Sequence, residues 1–139
     1  MSQQNISILT LTLIASGTVN PYRAIGFDGA QAAVQGQKTM GTSLSQANNS
    51  EAMAVVTHGT AIVESGAAIL MGDSLITDNQ GRAIPASGAL ALAAGAVAVT
   101  SSAANGALLE GADLPEYVFA DALQAAAGVG EFIEVLLRR

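Results

Sequence analysis

Alternation is the first pattern the chain shows. In "NISILTLTLIASG" the residues Ile6, Ile8, Thr10 and Thr12 share one parity, and Leu9, Leu11 and Leu13 share the other. Isoleucine and threonine are stiff at Cβ and suit a pleated surface. The run therefore predicts a strand, buried on one face and half-buried on the other. "SGTVNP" ends it. Arg23, Ile25 and Phe27 then alternate up to Asp28-Gly29, after which a second short apolar run begins. Asp-Gly between two such runs predicts a two-residue hairpin turn, because both positions tolerate positive φ.

One theme then repeats. Short strands are expected at 52–57, 60–64, 67–70, 74–77 and 82–84, alternating with Gly-containing turns. In "DNQG", Asp78 and Gly81 occupy the first and fourth positions of a type I turn. A left-handed Gly81 then closes the hairpin through a bulge, with Leu75/Thr77 and Arg82/Ile84 on the flanking strands. Gly72-Asp73 is expected to turn the chain one strand earlier. Further on, 117–120 predicts a strand, and 121–127 a loop or one helical turn capped by Asp121. Phe132, Glu134 and Leu136 alternate with Ile133, Val135 and Leu137 in a last strand, apolar enough to pair inside a sheet. The fold class expected is all-β: a small barrel or sandwich of short antiparallel strands, with at most one short helix near the C-terminal part.

Two regions depart from the theme. Residues 87–116 are rich in Ala, Gly and Ser, with Leu90/Leu92 and Val97/Val99 at spacing two. They read as two short strands or an extended excursion. Their uncharged surface needs covering, which makes this segment the first choice for subunit contact. At the other end, Ser2, Gln3, Gln4 and Asn5 form a polar arm (1–5) that is either ordered by contact with a partner or simply frayed. The 139 residues are expected to form a single β-domain.

Composition narrows the function. Hydrophobic residues make up 50% of the chain but aromatics only 4%, so the apolar content is mostly Ala, Val, Leu and Ile. A core of such small side chains is thin unless other subunits complete it. Net charge is −6 with only five Lys and Arg, too few cations to displace the counterions of a nucleic acid. There is no Cys, hence no disulfide and no thiolate metal site. Residues 83–109 carry no charge, but Pro, Gly, Ser and Asn interrupt them and Ala predominates, so no membrane span is expected. Nor does the start have the basic residues and clean apolar block of a signal peptide.

No constellation for catalysis emerges. His58 is the only histidine, placed where a strand meets a turn, and no G-x-S-x-G elbow accompanies it. "GQKTMGTS", 36–43, copies the glycine spacing of a phosphate loop, but Thr42 stands where the motif needs Lys. In "DNQGRA", Gly81 arrives too early for a calcium loop and no distal Glu follows. Arg82 is expected to face solvent or a partner. No enzyme activity, cofactor or metal is expected.

The ordered run "GTAIVESGAAILMGDSLITDNQGRAIPA", with "RAIGFDGAQAAVQGQKTMGTS" before it and "ADALQAAAGVGEFIEVLL" after it, resembles the head-decoration, or capsid cement, proteins of tailed bacteriophages. The resemblance spans most of the chain and fits least over 87–116. It implies a compact β-barrel, commonly trimeric, that binds the major capsid protein on the outer surface of an assembled head and stabilises it. It further implies a virion protein made in the host cytoplasm, with no catalytic residues to carry over. Ser2, Gln3, Gln4, Asn5, Leu90, Leu92, Val97 and Val99 are then the candidates for subunit or capsid contact. Asp28, Gly29, Gly72, Asp73, Asp78 and Gly81 are structural turn residues. Other readings are another small β-binding module and a hydrolase using His58; the main competing reading is a biotinyl- or lipoyl-type carrier domain. It would have to use Lys38, which lacks the flanking residues of such a site.

Overall fold

The computed structural model describes residues 3–86 and 116–138. Among the described residues eight strands form one antiparallel sheet: β1 (Ser7–Ile14), β2 (Ala24–Gly26), β3 (Thr39–Ser43), β4 (Ala52–Glu64), β5 (Ser74–Thr77), β6 (Ala83–Pro85), β7 (Ala120–Ala122) and β8 (Phe132–Leu137). Their order is β2-β3-β4-β8-β7-β5-β6, with β1 paired to β4 off that path. The ends of the path approach each other and almost close a barrel. Ser65 bridges Ala83, the Gly66 amide donates to the Ala83 carbonyl at 2.7 Å, and the Ala24 amide to the Gly81 carbonyl at 2.8 Å. The fold is all-β, as the strand and turn spacing predicts.

Strand β4 holds the sheet together. The expected strands at 52–57 and 60–64 are a single strand of 13 residues, because Gly59 bends the chain without reversing it. Gly59 has φ +100°, and the pairing with β1 slips there: Ser7 faces Gly59 while Leu9 faces His58. This is a bulge that re-aims the strand. Its first half takes β1 on one side, and Val56 also faces Thr42 of β3; its second half pairs with β8 from Thr60 to Glu64. Strand β8 lies between β4 and β7, so the apolar C-terminal strand is internal as expected.

Two apolar clusters fill the interior. The larger gathers Val63, Ile69, Leu75, Phe119, Ile133 and Val135 with the alanines 61, 83, 120, 122 and 126. The smaller joins Val19, Ile25, Met53 and Val55, with Leu13 packed against it. Phe119 is the only aromatic ring in either cluster among the described residues, and Phe27 and Phe132 lie exposed. The core is one of small side chains, as composition implies.

Several local expectations need correction. Segment 67–70 is not a strand; Ile69 makes only an isolated bridge to Ala126. The strand expected at 117–120 begins at Ala120. Asp121 caps no helix: it sits within β7, and its carboxylate receives Arg138 Nε. The largest difference is β1. Of its eight residues only Leu13 is even half-buried. The strand pairs with β4 alone among the described residues and lies off the barrel path, and apart from Leu13 its side chains are left exposed.

Candidate interaction surface

The turn residues come first, because they set the ends of the barrel. At 78–81 the expected type I turn is present: the Gly81 amide reaches the Asp78 carbonyl at 3.4 Å, Asp78 N donates to the Arg82 carbonyl at 2.9 Å, and Gly81 has φ +72°. The Asp78 carboxylate also accepts the amides of Gln80 and Arg82, both at 2.8 Å, and Arg82 Nε at 2.7 Å. Arg82 is therefore held by an acid of its own loop, with its side chain only 19% exposed. The Asp78 carboxylate ties the loop from inside. Around Asp28 only Gly29 has positive φ, and Gly26 N donates to Ala30 O. The loop is thus Phe27-Asp28-Gly29, three residues long, and not the two-residue turn expected. Gly72, at φ +90°, is the third residue of a turn in which Asp73 Oδ2 accepts the Leu70 amide at 2.8 Å.

The candidate chemical residues are kept apart. His58 stands in mid-β4 opposite Leu9, with Nδ1 3.3 Å from the neighbouring Thr57 hydroxyl. The phosphate-loop spacing at 36–43 falls largely on β3, where Gly41 packs under the Val56 carbonyl. Lys38 lies just before β3, with Nζ 5.8 Å from the rings of both Phe27 and Tyr117.

The arm and β1 form the most distinctive surface. No charged side chain precedes Arg23 in the sequence. Along β1 and its lead-in, Ile6 is 56%, Ile8 81% and Ile14 60% exposed, and Leu9 and Leu11 are also exposed. An uncharged strand with apolar groups on both faces and a free edge is what natural monomers avoid. Residues 3–5 are not frayed. The amides of Gln4 and Asn5 donate to the two carboxylate oxygens of Glu134, at 2.8 and 3.2 Å, and the Gln3 side chain donates to the Phe132 carbonyl. Next, Ile6 N donates to the Thr60 hydroxyl and Thr60 N to Ile6 O, each at 2.8 Å. Thr60 faces Leu136 across β4 and β8, so the exposed Phe132 and Leu136 continue the apolar surface beside the arm.

Glu134 is the residue the sequence does not flag. It is buried in β8, and Gln124 Oε1 accepts its amide. A hydrogen bond from the Thr60 hydroxyl lowers its pKa most; burial opposes this, and the Gln4 and Asn5 amides lower it further, leaving it below the ordinary value. The only signal in the sequence is one acid inside "FIEVLL", which alternation alone assigns to a solvent face. Of the other contact candidates, Ser2, Leu90, Leu92, Val97 and Val99 lie outside the described residues, as does the excursion 87–116 apart from Glu116.

No protein-family model and no curated protein matches the sequence. Among solved structures, the chain is similar to the N base of the head fiber gp8.5 in bacteriophage phi29. The chain shares its fold with a phage head-fiber base. The TM-score is 0.61 at 17% identity, over 94% of this chain and 93% of that one. The likeness is one of fold, and no residue role passes across it.

Proposed function

We propose that this chain is a structural protein of the tailed-phage virion. It binds the outside of the assembled head through the major capsid protein, stabilises it, and works as a homotrimer. The observation that carries the reading is the fold, shared over almost the whole chain with a base that belongs to a phage head fiber. The ordered run of strands and turns at 59–86 points the same way through its resemblance to head-decoration proteins. The exposed, uncharged β1 and the arm docked beside it supply a surface whose burial removes an aggregation liability. Ser2, Gln3, Gln4 and Asn5 belong to that contact, with Leu90, Leu92, Val97 and Val99 as a second region.

The test is addition of the purified protein to expanded heads that lack it. Expected are saturable co-sedimentation, a trimer by sedimentation equilibrium, and heads that withstand higher temperature or denaturant. A stable monomer that leaves matching heads unbound overturns the reading.

A further inference from the structure

Strand β1 reads the same in both directions. Residues 8–14 are Ile-Leu-Thr-Leu-Thr-Leu-Ile, a palindrome centred on Leu11. An antiparallel neighbour runs in the opposite sense, so a palindromic strand meets its own sequence when it pairs with a second copy. With Leu11 opposite Leu11, Leu9 falls opposite Leu13, Thr10 opposite Thr12 and Ile8 opposite Ile14. Like residues face each other at every position.

The backbone is set for that register. Leu11 faces Val55 and Leu13 faces Met53, in step with Ala15, whose amide donates to the Glu51 carbonyl at 2.8 Å. Residues 11, 13 and 15 thus turn their amides and carbonyls toward β4. These directions alternate along a strand, so Thr10, Thr12 and Ile14 turn theirs to the other edge. Among the described residues no strand but β4 pairs with β1, and that edge is free. Thr10 opposite Thr12 is then a pair in which both members offer outward groups. The faces agree as well. Leu13 packs against the smaller cluster, so Leu9, Leu11 and Leu13 share the barrel side, while Ile8, Thr10, Thr12 and Ile14 point away. The register keeps leucine with leucine on one side and isoleucine and threonine with their own kind on the other. Charge permits the approach. The chain carries −6, yet no charged residue precedes Arg23, so two copies meet here without like charges opposed.

We infer that β1 pairs antiparallel with β1 of a second copy, about a twofold axis at Leu11, and joins two barrels through one continuous sheet. The contact is isologous and therefore separate from the threefold contact of a trimer. Tying each copy to a neighbour on a head is its role, and that role rests on the function proposed above; the pairing itself does not. Eight residues of β1 are few against the roughly 20–30 per side of a standard interface. The pairing is thus weak in free solution and gains from many copies held side by side.

The chain has no cysteine, so single cysteines read the register directly. Across the axis two copies of residue 11 form a pair without hydrogen bonds, with Cα atoms about 4.5 Å apart, within reach of a disulfide. Residue 9 lies four residues from its own copy, about 13 Å, which is out of reach. Leu9 and Leu11 are exposed to a similar degree, 43% and 37%, so random collision treats them alike. Under mild oxidation of the concentrated full chain without heads, Leu11→Cys should give a covalent dimer about tenfold faster than Leu9→Cys or Leu13→Cys alone. An equimolar mixture of Leu9→Cys and Leu13→Cys should cross-link as Leu11→Cys does. Adding Thr12→Pro removes an amide at the free edge, and should stop the cross-link while the barrel stays folded. Equal rates for the three single cysteines, no dimer from Leu11→Cys, or a cross-link that survives Thr12→Pro overturns the pairing. A Leu11→Cys chain that co-sediments with heads but does not cross-link overturns the pairing alone and leaves the head-binding reading standing.

Discussion

Replacing Glu134 by glutamine tests how the N-terminal arm is held. In the native chain the Glu134 carboxylate accepts Gln4 N on one oxygen and Asn5 N on the other, and the Thr60 hydroxyl as well. Glutamine keeps one acceptor and places an NH2 group where the second oxygen was, so one arm amide then faces a donor. A hydrogen bond to a charged group contributes about 1.5–3 kcal/mol net. Loss of one such bond therefore raises the population of the released arm roughly ten- to a hundredfold. Amide hydrogen exchange at Gln4, Asn5 and Ile6 reads this directly, as protection factors that fall by the same ratio. The pH dependence carries a second signature. In the unfolded chain Glu134 takes the ordinary glutamate value of 4.5, whereas in the folded chain its pKa is lower, chiefly through the Thr60 hydroxyl. The unfolded state thus binds the proton more readily. The stability contributed by Glu134 is complete above about pH 4.5 and is lost as pH falls through the lower, folded value. In Glu134→Gln that part of the acid destabilisation disappears. Arm protection within threefold of the native chain would refute the latch, and an unchanged acid response in urea unfolding would refute the role of the charge.

The other expectations concern the surface, the bulge and the turn. Ile8→Lys should leave stability within about 0.5 kcal/mol, because the side chain is exposed, while abolishing self-association and head binding in sedimentation velocity. Gly59→Ala places a Cβ against the Ile6 carbonyl and the Ile8 amide at a φ of +100°. It should cost about 1–3 kcal/mol in urea unfolding and loosen β1 ahead of the barrel. Asp78→Ala removes the acceptor of two amides and of the Arg82 guanidinium, and should lower stability by about 2–4 kcal/mol in the same assay.

How much of this was legible depends on whether the deciding physics is local. Asp78 and Gly81 announce their turn because type I geometry and a left-handed glycine involve only neighbouring residues. The hairpin at Gly29 was foreseen in place but not in length, since a two-residue and a three-residue loop use the same Asp-Gly pair. His58-Gly59 reads as a break between two strands. Only the partners on each side of β4 show that it is a bulge within one.

The sequence by itself determined the all-β class, the first and last strands, the turn at 78–81, the small-residue core and the shortage of cations. Each of these follows from side-chain parity, backbone preference or composition, which need no knowledge of distant neighbours. Tertiary structure decided which strand faces outward. Strand β1 is as apolar as a core strand, and its position off the barrel path leaves it exposed among the described residues. It likewise decided that the solitary acid of β8, on the face of exposed Phe132 and Leu136, is covered by the arm and accepts two amides some 130 residues away. Alternation tells which side chains share a face, but what covers that face is a long-range contact, and no local pattern encodes it.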